Sequence, residues 1–79
     1  MKILFFANAK ELTGVPQIEL EVETPLDVKS LWEVLIDKFP EIERVKTICR
    51  IARNCEYVGD DTLFSNEDEV AIIPPVSGG

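Results

Sequence analysis

Two uninterrupted apolar runs, at residues 3–6 and 70–73, lie near the two ends of the chain. Strands that are covered on both faces have such runs, whereas a half-exposed strand alternates. We therefore predict a central strand over residues 2–7 and a second buried strand over residues 70–73. We expect the last strand to lie parallel to the first.

Residues 17–23 show the other pattern, with alternating apolar and polar side chains. Glu19, Glu21 and Glu23 share one side, so we predict a strand with one solvated acidic face rather than an acidic site. Between the first two strands, residues 8–13 favour a short helical turn that ends at Gly14, since glycine readily adopts the left-handed conformation. The two strands are expected to pair antiparallel.

A helical period follows Asp27, which is a favourable N-cap residue. The apolar positions that fall on one helical face are Val28, Leu31, Trp32, Leu35, Ile36 and Phe39. Pro40 ends the helix, because proline lacks the backbone N–H. Trp32 and Phe39 are interpreted as core anchors, because aromatic side chains at core spacing need no other explanation.

Shorter elements fill the rest of the chain. Residues 41–46 predict an amphipathic helical turn with Ile42 and Val45 inward. A strand at 47–53, a tight turn at Asn54 and Cys55 and a short return strand at 56–58 follow. After a turn at 59–61, Leu63 and Phe64 are expected to enter the core, and an acidic turn leads into the last strand. This order predicts an α+β fold, in which one main helix crosses a mixed sheet. We expect one domain over residues 1–74 and a flexible tail over residues 75–79.

Charge and composition narrow the possible partners. Eight Lys and Arg against fifteen Asp and Glu give a net charge of −7, and the chain contains no histidine. This balance argues against nucleic acid and anionic membranes and favours partners with basic surfaces. Without a long apolar run or a signal-peptide pattern, the expected location is the cytoplasm.

The two cysteines, Cys49 and Cys55, match no zinc-binding spacing, and we expect no metal site. A disulfide is disfavoured in a reducing compartment, so we interpret both residues as ordinary thiols. A persulfide on Cys55 is the alternative. The chain also lacks a nucleophile beside a base or a glycine-rich phosphate loop, which indicates a substrate or carrier rather than an independent enzyme.

The chain ends in Pro74-Pro75-Val76-Ser77-Gly78-Gly79. The two prolines stop the last strand, because neither can donate a ladder hydrogen bond. Glycine has no Cβ and can pass through a narrow channel. Six extended residues span roughly 20 Å, enough to place a terminal carboxylate inside another protein's active site. Such a carboxylate becomes an acyl donor once it is activated as an acyl-adenylate.

This ending resembles that of the molybdopterin synthase small subunits, the MoaD-type sulfur carriers, over residues 68–79. Residues 4–7 and 11–14 also resemble that family's first strand and short helix. Two positions depart from it: Glu67 replaces a common glycine, which affects the turn geometry, and Lys10 replaces a common arginine. The resemblance implies the ubiquitin-like β-grasp fold.

The resemblance also implies a function as the non-catalytic sulfur-donor subunit of a heterotetrameric molybdopterin synthase. A ubiquitin-activating-like adenylyltransferase would consume ATP to adenylate Gly79, and a sulfurtransferase would convert it to a thiocarboxylate. No permanently bound cofactor is implied. The large synthase subunit would then receive the tail, and the sulfur would be donated to cyclic pyranopterin monophosphate. Gly78, Ser77, Val76, Pro75 and Pro74 would guide the tail.

The hypothesis for partner docking is the sheet surface near the tail, with Phe6, Tyr57 and Ile73 as candidates. The competing interpretation places Phe6 and Ile73 in the core. Three other functions stay open: a sulfur carrier for thiamin thiazole synthesis, a ubiquitin-like modifier conjugated through Gly79, and a pure interaction domain. Only the last would not depend on Gly79.

Overall fold

The structure, a computed structural model, describes residues 1–75. Its elements in chain order are β1 (Lys2–Phe5), α1 (Ala7–Thr13), β2 (Gln17–Glu19), β3 (Leu26–Asp27), α2 (Val28–Lys38), a 3₁₀ helix (Pro40–Val45), β4 (Arg50–Arg53), β5 (Glu56–Tyr57), β6 (Leu63–Phe64) and β7 (Glu69–Ile73).

Five strands form a mixed sheet in the order β2-β1-β7-β4-β5. As predicted, β1 pairs antiparallel with β2 and parallel with β7. Strand β4 covers the other edge of β7, so that Ala71 is opposite Leu4 on one side and Ala52 on the other. The last strand is therefore the centre of the sheet and holds the two halves of the chain together.

Helix α2 forms where the sequence predicted it. The Asp27 carboxylate caps it by accepting a hydrogen bond from the Ser30 backbone N–H at 2.7 Å. That bond also lowers the pKa of Asp27. Leu31 and Trp32 are buried against the sheet. Phe39, at the end of the helix, packs edge-on against Phe5 with 5.6 Å between ring centroids, so both predicted aromatic anchors are confirmed.

The core lies between α2, the 3₁₀ helix and one face of the sheet. Its buried members are Met1, Ile3, Phe5, Ala9, Leu20, Leu31, Trp32, Leu35, Ile42, Val45, Ile51, Phe64, Val70 and Ile72. Ile42 and Val45 point inward from the 3₁₀ helix, as the amphipathic pattern predicted. This arrangement is the expected α+β fold, with one main helix across a mixed sheet.

The expectation that β1 and β7 are covered on both faces is wrong. Ile3 and Val70 are fully buried, but Leu4 and Ile73 are only partly buried, and Phe6 just beyond β1 is 45% exposed. The fold has two layers, because the helices of this short chain cover one face of the sheet. The second apolar face is left open.

Several boundaries also differ from the prediction. Strand β1 stops at Phe5, and Ala7 begins α1 instead. Strand β2 ends at Glu19 and β4 begins at Arg50, so both are shorter than predicted. Leu63 does not enter the core and is 54% exposed. It belongs to a separate two-stranded sheet, in which β6 pairs with β3 beside the start of α2.

The turn between β4 and β5 and the turn before β7 meet at the start of β7 and hold each other in place. Asn54 and Cys55 both have positive φ, which confirms the predicted tight turn. The Asn54 side-chain carbonyl accepts from Glu69 N–H at 2.9 Å, and its amide donates to Asp68 at 3.2 Å. The Ser65 backbone N–H donates to Asp68 and lowers the pKa of that carboxyl group. This acidic segment therefore acts as a polar turn.

Within residues 1–75, no helix is both long enough and apolar enough to cross a lipid bilayer.

Candidate functional site

Strand β7 carries the chain to the predicted C-terminal site. Its end is fixed by neighbours on both sides: Phe6 N–H donates to the Ile72 carbonyl at 3.3 Å, and Arg50 is opposite Ile73 in the ladder with β4. Pro74 is buried, whereas Pro75 is exposed. The chain therefore leaves the protein body between the two prolines.

The predicted sulfur-bearing residue and most of the predicted tail lie beyond this point. Val76, Ser77, Gly78 and Gly79 are outside the described residues. Their roles, and the proposed division between residues 1–74 and 75–79, stay predictions. The structure does describe the base of the tail, Pro74, which follows the central strand of the sheet.

Beside that base is the face of the sheet opposite α2, here called the open face. Alternate residues of the central strands point to it, and they surround a shallow apolar depression of about 270 Å³. The residues that line the depression are Leu4, Phe6, Ala52, Cys55, Tyr57, Glu69, Ala71 and Ile73.

All three predicted docking residues line this depression. Tyr57 is 55% exposed and Phe6 is 45% exposed, while Ile73 is partly buried. The alternative interpretation of Phe6 and Ile73 as core residues is therefore wrong. Sequence reasoning missed Leu4 and Ala71, although they are two residues from Phe6 and Ile73, respectively. That period-two spacing was the available signal, because residues i and i+2 of a strand share a face.

Charged groups occupy opposite ends of the open face. At the end where β7 begins, Lys2 and Glu69 are opposite each other and their side chains approach to 3.9 Å. At the end near the tail, the Arg50 guanidinium lies over the Tyr57 ring, 4.0 Å from its centroid. The apolar centre therefore lies between an ion pair and a single stacked cation.

The two cysteines differ in environment, and both thiols are free. Cys49 is partly buried beside the core, and burial raises the pKa of its thiol to about 11. Cys55 is exposed at the edge of the open-face depression. Among residues 1–75, no group of three or more His, Cys, Asp or Glu side chains comes together as a metal site.

A mixed sheet of this order, crossed by one helix, places the protein in the ubiquitin-like β-grasp class. The chain belongs to the ThiS family, whose profile matches residues 3–79. The predicted fold is thereby confirmed, and the resemblance to MoaD-type carriers is confirmed by the relatives described next.

Relatives and solved structures agree over almost the whole chain. It is 42% identical to the molybdopterin synthase sulfur carrier subunit of Arabidopsis thaliana, over all of this chain and 82% of the relative. The crystal structure of SAMP1 from Haloferax volcanii superposes with a TM-score of 0.87 at 28% identity, covering 100% and 98% of the two chains.

A third comparison comes from an assembly. The chain superposes with a TM-score of 0.69, at 25% identity, on part of a protein–protein complex of subunits 1 and 2 of molybdopterin-converting factor from Helicobacter pylori. The superposition covers 99% of this chain and 96% of the other.

Proposed function

We propose that this protein is the sulfur carrier subunit of a molybdopterin synthase, with the sulfur carried on the Gly79 carboxyl group. The observation that carries the proposal is the 42% identity over the full chain with a subunit of that name. The Gly-Gly terminus and its position after a central strand are consistent with this function.

The chemistry starts at the terminal carboxylate, which is a poor electrophile. A partner adenylyltransferase joins it to the AMP portion of ATP and releases pyrophosphate. The outer sulfur of a sulfurtransferase persulfide then displaces AMP from the carbonyl carbon and forms an acyl disulfide. A second thiol attacks the sulfurtransferase sulfur of this disulfide, so that the thiocarboxylate is released on Gly79 and the two thiols are left joined as a disulfide. This sulfur is a better nucleophile than a carboxylate oxygen, and it attacks a carbon of cyclic pyranopterin monophosphate and displaces the oxygen bound there. Water then cleaves the resulting thioester, which leaves the sulfur on the pterin and returns the Gly79 carboxylate. Each dithiolene contains two sulfur atoms, so two loaded chains are consumed per molybdopterin.

The base of the tail determines how far that carboxyl group can reach. The stretch from Pro74 to Gly79 spans roughly 20 Å when extended, and Pro74 is anchored in the protein body. Proline restricts the backbone at the start of the tail, while Gly78 offers no side chain to obstruct a narrow channel. The carrier thus supplies a defined starting point and an unobstructed terminus, and its partners supply the catalytic groups.

The open face is the proposed docking surface for the large synthase subunit. It has an apolar centre, it lies beside the base of the tail, and Phe6 and Tyr57 are exposed on it. Exposed apolar patches beside a functional segment are typical of protein interaction sites. The Helicobacter pylori complex of subunits 1 and 2 supports a partner of this kind. ATP is consumed by the activating partner, and no resident cofactor is proposed for this chain.

A second candidate function is protein modification through Gly79. The high structural similarity to SAMP1, a small archaeal modifier protein, favours it. The activation step is the same, but a lysine amine would take the place of sulfur and form an isopeptide bond. A carrier for thiamin thiazole synthesis would also bear a thiocarboxylate, so it differs only in the acceptor of the sulfur.

Intact mass spectrometry separates a sulfur carrier from a protein modifier. The chain is co-expressed with the activating enzyme of the same genome, beside a control lacking Gly79. A carrier shows the mass increase of one sulfur replacing one oxygen, located at the C-terminus and absent from the control. Lysine conjugates without that increase would support a modifier. An unchanged chain with no conjugates, under conditions in which the enzyme consumes ATP, would contradict both.

A further inference from the structure

Arg50 is a cation in an unusual position, at the end of the open face nearest the tail. It is opposite Ile73 in the β4–β7 ladder, one residue before the buried Pro74. Ala52, two residues along the same strand, is opposite Tyr57. The Arg50 and Tyr57 side chains thus share the open face, where the guanidinium stacks on the ring at 4.0 Å.

Two other cations of the sheet are already engaged. Lys2 pairs with Glu69 at 3.9 Å, and Arg53 donates to the Leu63 carbonyl at 2.7 Å. Within residues 1–75, Arg50 makes neither an ion pair nor a side-chain hydrogen bond, and its contact is the Tyr57 ring. None of the described residues therefore occupies its hydrogen-bonding edge, which lies beside the base of the tail.

Stacking prepares this edge for recognition of an anion. A guanidinium presents N–H donors in a rigid plane that matches a carboxylate, and an aromatic face restricts the motion that binding would otherwise have to remove. The local sign of charge is also informative. The chain has a net charge of −7, so its surface in general favours basic partners, and Arg50 reverses that preference at one point.

We propose that Arg50 is a specificity-determining residue that binds a carboxylate side chain of the large synthase subunit at the entrance to its tail channel. This inference rests on the proposed function. Arg50 acts as a positioning residue rather than a catalytic one, because an extended tail places Gly79 roughly 20 Å from the end of β7. One acidic group on an otherwise basic partner surface fixes how the open face is oriented, and so directs the tail into the channel.

The test measures Kd between the purified full chain and the large subunit of the same genome. Arg50→Glu reverses the charge at the proposed contact. The matched control is Arg44→Glu, an identical change at an exposed site on the 3₁₀ helix, away from the open face. We expect Arg50→Glu to weaken binding about tenfold or more and Arg44→Glu to change it less than about twofold.

Two further measurements identify the contact as an ion pair. Arg50→Gln is expected to reduce the salt dependence of Kd relative to the unmodified chain, because it removes a screened charge pair. Replacing one Asp or Glu at the channel entrance of the large subunit by Lys is expected to restore binding of the Arg50→Glu chain. Circular dichroism checks that each variant keeps the fold, as expected for an exposed side chain.

The outcomes separate this inference from the function on which it rests. If Arg50→Glu binds as tightly as the unmodified chain while Phe6→Asp binds more weakly, the role of Arg50 is overturned and the docking surface stands. If Arg50→Glu is weakened but no acidic reversal on the large subunit restores binding, the carboxylate contact is overturned. Failure of the unmodified chain to bind the large subunit would overturn both the inference and the proposed function.

Discussion

Burial, rather than residue type, distinguishes the two cysteines. Cys49 is partly buried beside the core, and burial raises the pKa of its thiol to about 11. A thiol with a raised pKa stays protonated at neutral pH, and the thiolate is the reactive form. Cys55 is exposed in the turn between β4 and β5. The sequence predicted ordinary thiols at both positions, but it held no signal for this difference.

We predict that a thiol reagent at about pH 8 labels Cys55 quickly and Cys49 slowly, since the Cys49 thiol is both shielded and protonated there. Labelling of Cys49 should accelerate as the pH approaches about 11, where its thiolate forms. Stopped-flow absorbance would show the two phases. The fast phase should vanish in Cys55→Ser and persist in Cys49→Ser, and the reverse assignment would contradict the placement of the two residues.

Other single positions were predictable because their causes are local. Asp27 caps α2 through a hydrogen bond three residues away, and Gly14 ends α1 with φ +79. Both roles depend on the residue and its immediate neighbours along the chain. Leu63 was mispredicted for the opposite reason, since its exposure depends on the pairing of β6 with the distant β3.

At the scale of elements, the two faces of β1 and β7 differ in burial. The sequence predicted both central strands and their neighbours, because apolar runs and turn residues are strong signals. It did not predict which face stays open. A strand that is apolar on both faces indicates that both faces will be buried. The pattern cannot distinguish burial by other elements of the same chain from burial by a partner protein. Here the helices cover the side of Ile3 and Ile72, while Phe6 is on the open side.

Adjacent isoleucines on β7 test this division. Ile72 is fully buried, so Ile72→Ala should lower the free energy of unfolding by about 2–5 kcal/mol through lost contacts and a cavity. Ile73 faces the open depression, so Ile73→Ala should cost about 1 kcal/mol or less and chiefly weaken binding to the large subunit. Urea denaturation and a binding titration measure the two effects.

The milder variant Ile72→Val, expected to cost about 1 kcal/mol, keeps the comparison usable if the alanine variant does not fold. Equal losses of stability at the two positions would show that both faces of β7 belong to the core. An Ile73→Ala chain that binds the large subunit as tightly as the unmodified chain would remove Ile73 from the docking surface.

At the scale of the whole molecule, the fold places the base of the proposed reactive tail at the end of its central strand. Strand β7 is paired on both sides, and its last ladder residue, Ile73, is followed by the buried Pro74. The open face lies beside this base, so the proposed docking of a partner there would both hold the body and direct the tail. The sequence alone indicated the tail chemistry, because Gly78-Gly79 after two prolines is a local feature. The shape of the docking surface required the sheet register.

A single-turnover experiment tests the central claim most directly. The chain bearing a thiocarboxylate on Gly79 is purified and mixed with the large subunit and cyclic pyranopterin monophosphate, without any other sulfur source. The intact mass of the chain and the amount of molybdopterin are followed together, and a mixture without the large subunit is the control. The proposed function predicts that the terminal sulfur is replaced by oxygen as molybdopterin forms, with two chains consumed for each product molecule. Molybdopterin formed while the terminal sulfur stays in place, or sulfur lost without product, would contradict it.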